Sequence, residues 1–182
     1  LVVVRVKIAR RRHLFPVDCG GLVVLLVGDD GQAVDDFHRA DVVLVGISRT
    51  SKTPTSMYLA NYRGLMAANI PFVPGVPLPD MLFSKQAPFI VGLTTSPERL
   101  VQIRRERMKS VGEDRETNYV ELDQVRQEIQ RARKLFTKFR WPVIDVTRRS
   151  IEETASEIFA LYAANLEKRS AGEPPAKTSP TS

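Results

Sequence analysis

Asp41-Val42-Val43-Leu44-Val45-Gly46-Ile47-Ser48-Arg49-Thr50-Ser51-Lys52-Thr53 is the stretch on which the fold turns. The apolar run over 41–45 ends at Gly46, and an uninterrupted apolar run of this length reads as a strand buried on both faces of a parallel sheet. Pro54 to Tyr62 follows as a helix, with Pro54 tolerated in its first turn and Gly64 ending it. Between strand and helix, Gly46 to Thr53 fits G-x-x-x-x-G-K-[ST] except that Ser51 stands for the second glycine. In such a loop the backbone N–H groups converge on phosphate oxygens, helped by the helix N-terminus. Lys52 would neutralise terminal phosphates and the Thr53 hydroxyl would ligate Mg²⁺. Arg49 adds a second cation, and serine is tolerated at position 51 where the backbone has φ < 0. The alternative is a Ser/Thr-rich strand-to-helix turn with a chance Lys-Thr.

The pattern continues downstream. Further strands are expected at Asn69–Val73, Phe89–Leu93 and Pro142–Val146, with a rigid Pro-rich loop over 74–79. Ser96 with Pro97 starts a helix that turns Leu100, Ile103 and Met108 inward and leaves Arg104, Arg105 and Arg107 solvated. Glu121 to Arg140 is amphipathic, with Val125, Ile129, Ala132 and Phe136 among its apolar positions, and Trp141 beyond it is expected to pack. Ser150 and Glu153 form a capping-box pattern ahead of a last helix lined by Ile151, Ala155, Ile158, Leu161 and Tyr162. Strands alternating with helices predict an α/β fold: a mostly parallel sheet with crossover helices, here a P-loop-like nucleotide-binding domain.

Composition bounds the rest. The 182 residues suit one domain with tails, and 43% apolar content is enough for a core. One cysteine, Cys19, excludes a disulfide framework and a Cys-built zinc site, and two histidines, His13 and His38, leave little for a His-built centre. The longest apolar run, Leu22 to Val27, is far short of the roughly 20 residues of a membrane helix. The net charge of +6 collects at the ends: Arg5, Lys7, Arg10, Arg11 and Arg12 face no acid within 1–12, and Lys168, Arg169 and Lys177 outnumber Glu173 in 168–182. The middle is near neutral, so a nucleic-acid partner is not expected. The first residue, Leu1, suggests a fragment. Arg10 to Arg12 before an apolar stretch faintly resembles a signal peptide, but Asp18 and Gly20-Gly21 interrupt it, and a cytoplasmic location is expected. Ser170 to Ser182 has no large apolar residue and reads as a disordered tail.

Gly46 to Ser56 closely resembles the loop of the bifunctional kinase/pyrophosphorylase regulatory proteins, which act on pyruvate, phosphate dikinase or on phosphoenolpyruvate synthase. Ala68-Asn69-Ile70-Pro71 with Val73 to Val76 agrees, as do Val91-Gly92-Leu93-Thr94 with Pro97 to Leu100, and Val143 to Thr147 through Ser150 to Ala155. The likeness runs from about Asp29 to Tyr162, and the family loop also lacks the second glycine. The resemblance implies a domain over 29–167, between an atypical segment over 1–28 and the tail over 168–182. It implies that ADP donates a phosphoryl group to a threonine of the target, inactivating it, and that inorganic phosphate removes that group as pyrophosphate. Gly46, Ile47, Ser48, Arg49, Thr50, Ser51, Lys52 and Thr53 would then bind nucleotide, Lys52 would also serve catalysis, and Thr53 would hold Mg²⁺. The target expected from the resemblance is the dikinase, with the synthase as alternative; no membrane partner is implied, and a homodimer is compatible with it.

Both reactions need a group that exchanges a proton with the threonine. Family members carry His-Asp-Asp-Gly before the loop strand where this chain has Gly28-Asp29-Asp30-Gly31. Asp30 is the candidate acid/base and Asp29 the second; a solvated Asp-Asp-Gly turn is the alternative. Leu14 to Val24 does not match the family, and a shifted reading frame before residue 29 is one hypothesis, which an intact frame in the coding DNA would reject. Asp145, at a strand's C-terminal edge, is read as a turn or cap before a Walker-B-like acid. Arg148-Arg149 reads as a solvated pair, and His38 beside Asp35 and Asp36 as exposed. Two other classes compete. A small-molecule P-loop kinase would need an arginine-rich lid that the sequence does not show. A non-catalytic nucleotide-binding fragment would fit the unmatched N-terminal segment.

Overall fold

The computed structural model describes residues 40–110 and 121–171. Four strands, β1 (Val42–Gly46), β2 (Ala67–Pro71), β3 (Phe89–Thr94) and β4 (Val143–Asp145), form one all-parallel sheet in the order β2-β1-β3-β4. The helices are α1 (Lys52–Arg63), α2 (Pro97–Ser110), α3 (Leu122–Lys138) and α4 (Ile151–Ser170). The α/β expectation therefore holds.

Alternation along the strands divides the core. Val43, Val45, Ala68, Ile70 and Ile90 face Leu100 and Val101 of α2 and Val125, Ile129, Ala132 and Phe136 of α3. Val42, Leu44, Ala67, Val91, Leu93 and Ile144 face Leu59 of α1 and Ala155 and Ile158 of α4. Every residue of β1 is buried, as its apolar run requires. A Cβ at Gly92 would lie 2.6 Å from the Phe136 ring, so glycine there lets α3 sit down on β3. Trp141 is buried and stacks on Phe83 and Phe139.

Local signals land where the sequence puts them. Gly64 caps α1 at φ 66, a left-handed conformation that glycine adopts freely. The Arg99 N–H donates to Ser96 Oγ (3.2 Å) at the head of α2. The capping box is complete: Glu153 N–H donates to Ser150 Oγ (3.1 Å) and Ser150 N–H to Glu153 Oε2 (2.8 Å).

Two expectations need correction. β2 covers Ala67–Pro71, two residues earlier than expected, because Val42 pairs with Ala67 and Gly46 with Pro71. β1 turns into the loop after Gly46, so Val73 has no strand to extend along and is exposed. Arg104 is not solvated. It is 2% exposed, and its guanidinium grips both carboxylate oxygens of Glu128 at 3.3 and 2.7 Å, tying α2 to α3. A buried arginine is sustained by this kind of bidentate carboxylate contact.

Candidate functional site

In the order β2-β1-β3-β4, the chain leaves β1 through α1 on one face and β3 through α2 on the other. The carboxyl ends of β1 and β3 thus flank a topological switch point, where parallel sheets open a crevice for ligands. The Gly46–Thr53 loop leaves β1 at that point. A Cβ at Gly46 would come within 2.7 Å of both Leu93 O and Thr50 Oγ1, so only glycine lets the loop seat against β3.

Arg49 and Ser51 both lie in the left-handed region, at φ 69 and 57. This corrects the condition φ < 0 at Ser51: the chain keeps the backbone shape that the usual glycine would adopt, with a side chain in place. Left-handed residues interleaved in a turn direct successive N–H groups into one concavity, the geometry that receives anions. Thr50 is fully buried, and its hydroxyl donates to Ile47 O (3.0 Å), bracing the turn. Lys52, the first residue of α1, is half-buried, and its ammonium donates to Gly46 O and Ile47 O, each at 2.8 Å. Burial brings its pKa down from 10.5 to about 7. The lysine folds back over its own loop, with its amino group on the Gly46 and Ile47 carbonyls at the crevice. Thr53 is exposed in the first turn of α1.

These residues fit a nucleotide phosphate: a concave run of N–H groups, a helix N-terminus and a lysine with only carbonyl partners to give up. For Mg²⁺ the hydroxyl at the position the loop pattern assigns to the metal is that of Thr53, and among the described residues no group of three His, Cys, Asp or Glu converges. A magnesium ion here would share Thr53 with phosphate oxygens and water, its ordinary habit in phosphoryl-transfer sites. Asp29 and Asp30 lie outside the described residues, as does His38.

A second polar cluster lies along the same edge, and the sequence pointed only to its Asp145. Asp145 Oδ1 accepts from the Thr147 N–H (2.9 Å) and from the Thr147 hydroxyl, and Oδ2 accepts from Arg133 (3.2 Å). The reading of Asp145 as a strand-end turn is therefore the observed one. Arg133 also donates to Thr94 Oγ1 (3.3 Å), and Thr147 Oγ1 accepts from the Ser96 N–H (2.8 Å). The cluster joins the ends of β3 and β4 to α3. Its signal was Thr94-Thr95-Ser96 after a buried strand, but Arg133 comes from 39 residues away along the chain. Arg148 and Arg149 are exposed as expected, Arg149 paired with Glu157.

Residues 26–159 match the family described as kinase/pyrophosphorylase. The chain belongs to that family. The kinase/pyrophosphorylase match takes in the Gly46–Thr53 loop, the Arg133–Asp145 cluster and the Gly28–Gly31 stretch. The chain is also 60% identical over 141 residues to a protein of Maricaulis maris (strain MCS10) that bears the provisional name pyruvate, phosphate dikinase regulatory protein. That alignment covers 78% of this chain and 49% of the relative. A protein of the same provisional name from Caulobacter vibrioides (strain ATCC 19089 / CIP 103742 / CB 15) is 57% identical over 140 residues, covering 77% of this chain and 44% of its own. A third, from Erythrobacter litoralis (strain HTCC2594), is 53% identical over 147 residues, covering 81% and 52%. The chain spans about half the length of these relatives. No helix among the described residues is long and apolar enough to cross a membrane.

Proposed function

We propose that this chain carries the phosphoryl-transfer part of a regulator of pyruvate, phosphate dikinase. It phosphorylates a threonine of the dikinase with ADP and removes that phosphoryl group with inorganic phosphate, releasing pyrophosphate. The observation that carries the reading is the Gly46–Thr53 loop at the switch point, with the Lys52 ammonium held over it by two carbonyls. The names of the kinase/pyrophosphorylase relatives favour the dikinase over phosphoenolpyruvate synthase.

ADP supplies the phosphoryl group when bound. The chain's own part is to seat phosphates on the loop N–H groups, to balance their charge with Lys52 and Arg49, and to exchange the threonine proton. Asp30 is the candidate for that exchange, accepting the proton in one direction and returning it in the other. One phosphate cradle can serve both directions, because the β-phosphate of ADP and inorganic phosphate present similar oxygens to it. Thr53 is the residue placed to share a magnesium ion.

The test is incubation with ADP, Mg²⁺ and purified dikinase or synthase, followed by mass spectrometry for phosphothreonine. Phosphothreonine on the dikinase, lost again with phosphate as pyrophosphate appears, is the expected result. ADP binding with no phosphothreonine on either enzyme would reduce the chain to a nucleotide-binding fragment.

A further inference from the structure

Apart from the Gly46–Thr53 loop, a groove of about 700 Å³ lies between the first turn of α2 and one side of α3. Pro97 forms one wall. Arg126, Ile129, Arg133, Lys134 and Lys138 recur at helical spacing on the other, and no acid lines it. Ile129 is buried and makes an apolar floor, while the four cations stand exposed around it.

The cations are not equivalent. Arg126 is paired with Asp123 (3.2 Å) and Glu98 (3.5 Å), and Arg133 with Asp145 (3.2 Å). Lys134 and Lys138 have no ion pair among the described residues; Lys138 lies over the Phe139 ring at 5.4 Å. Charge to be matched thus lies at one half of the groove, and acids rim the other. From Arg126 to Lys138 the helix rises about 18 Å, the span of five or six extended residues.

The groove also has a fixed relation to the phosphate loop. Arg133 bonds Thr94, the last residue of β3, and Leu93 pairs with Gly46 of β1. Adjacent strands lie about 4.8 Å apart, so the Arg133 end of the groove opens within roughly 10 Å of the loop.

We propose that this groove docks a short, extended acidic segment of the protein substrate, which carries the neighbouring chain over the phosphate loop. The inference rests on the proposed function for the identity of the partner. A segment with two or three carboxylates answers Lys134 and Lys138, and apolar side chains between them cover Ile129. A nucleic-acid strand fits less well, because its unbroken charge would run onto Glu98 and Asp123.

The test is the affinity of immobilised dikinase for this chain without ADP, by biolayer interferometry at about 50 and 200 mM salt. Lys134→Glu with Lys138→Glu is expected to raise the Kd at least tenfold and to flatten its salt dependence. Lys134→Arg with Lys138→Arg should keep the wild-type value, and ADP affinity should not move in either variant. Both lysines are exposed, and equal melting temperatures check the fold. Wild-type affinity in the charge-reversed variant overturns the proposal, as does failure of the wild type to bind dikinase or equal affinity for a DNA duplex. Phosphothreonine is scored separately, so groove-dependent binding without phosphorylation would leave the docking site standing and defeat the proposed function.

Discussion

Lys52 sits between two demands. Its amino group donates to the Gly46 and Ile47 carbonyls, and burial holds its pKa near 7 instead of 10.5. In that range the unfolded chain binds more protons than the folded one, so this group makes stability rise with pH from about 7 to 10.5. An anionic phosphate beside it favours the charged form and raises the pKa again. ADP binding at pH 8 should therefore take up protons, seen as a binding enthalpy that changes with the ionisation enthalpy of the buffer. Lys52→Ala should abolish the uptake and weaken ADP binding about tenfold or more while leaving the melting temperature close to wild type, since Gly46 O keeps the Phe72 N–H (2.9 Å). Buffer-independent enthalpy in the wild type would mean that Lys52 is already charged in the empty loop. Ser51 offers a second measurement. A non-glycine residue in the left-handed region costs on the order of 1 kcal/mol, partly offset in a glycine variant by the extra freedom of its unfolded chain. Ser51→Gly should gain about 0.5 kcal/mol, a rise in melting temperature of about 1–2 °C at this chain length. A fall would show that the serine side chain stabilises the loop by more than its backbone conformation costs.

Between elements, α2 and α3 are joined through Arg104 and Glu128. Glu128→Gln removes the carboxylate charge that this guanidinium grips and should cost about 2–3 kcal/mol, less than a fully buried pair because Glu128 is 23% exposed. Arg104→Met with Glu128→Leu should recover most of that loss, and chemical denaturation of the three variants compares them directly. Equal stability of Glu128→Gln and wild type would place the guanidinium's compensation elsewhere. The same pair shows where the sequence stopped being readable. Apolar periodicity gave β1, the core positions of α3 and the start of α2, and local side-chain chemistry gave the Ser96 and Ser150 caps, because each of these signals lies within a few residues. Arg104 read as solvated because its partner is 24 residues away. Asp145 was visible as a strand end, but Arg133, which joins it to Thr94, comes from the middle of a helix. The left-handed backbone at Ser51 was hidden by the residue itself, since serine does not announce the conformation that glycine would.

At the scale of the whole molecule, the proposed chemistry requires the Asp30 carboxylate to reach the Gly46–Thr53 loop. Ala40 lies just before β1, and the loop starts at the strand's other end, about 20 Å away at 3.3 Å per residue. Ala40 is ten residue steps after Asp30, a span of up to about 33 Å, so chain length permits Asp30 to meet the loop. The Gly46–Thr53 loop is different: β1, α1 and the edge of β3 build it wholly from residues after Asp41, with cores on both sheet faces behind it. Binding and proton transfer should therefore separate under truncation. A chain beginning at Asp29 should melt like the longer one and bind ADP equally well, yet phosphorylate dikinase at least tenfold more slowly, because displacing a reacting group by an ångström is costly. Asp30→Asn in the longer chain should lower threonine phosphorylation and its phosphorolysis together, with ADP affinity unchanged, since one carboxylate serves both directions. Adding a family-like segment before Asp29, histidine included, should restore the rate without touching ADP affinity. If the chain begun at Asp29 is already as fast as the longer one, residues before it do not position Asp30, and the core that carries the phosphate loop holds the carboxylate as well.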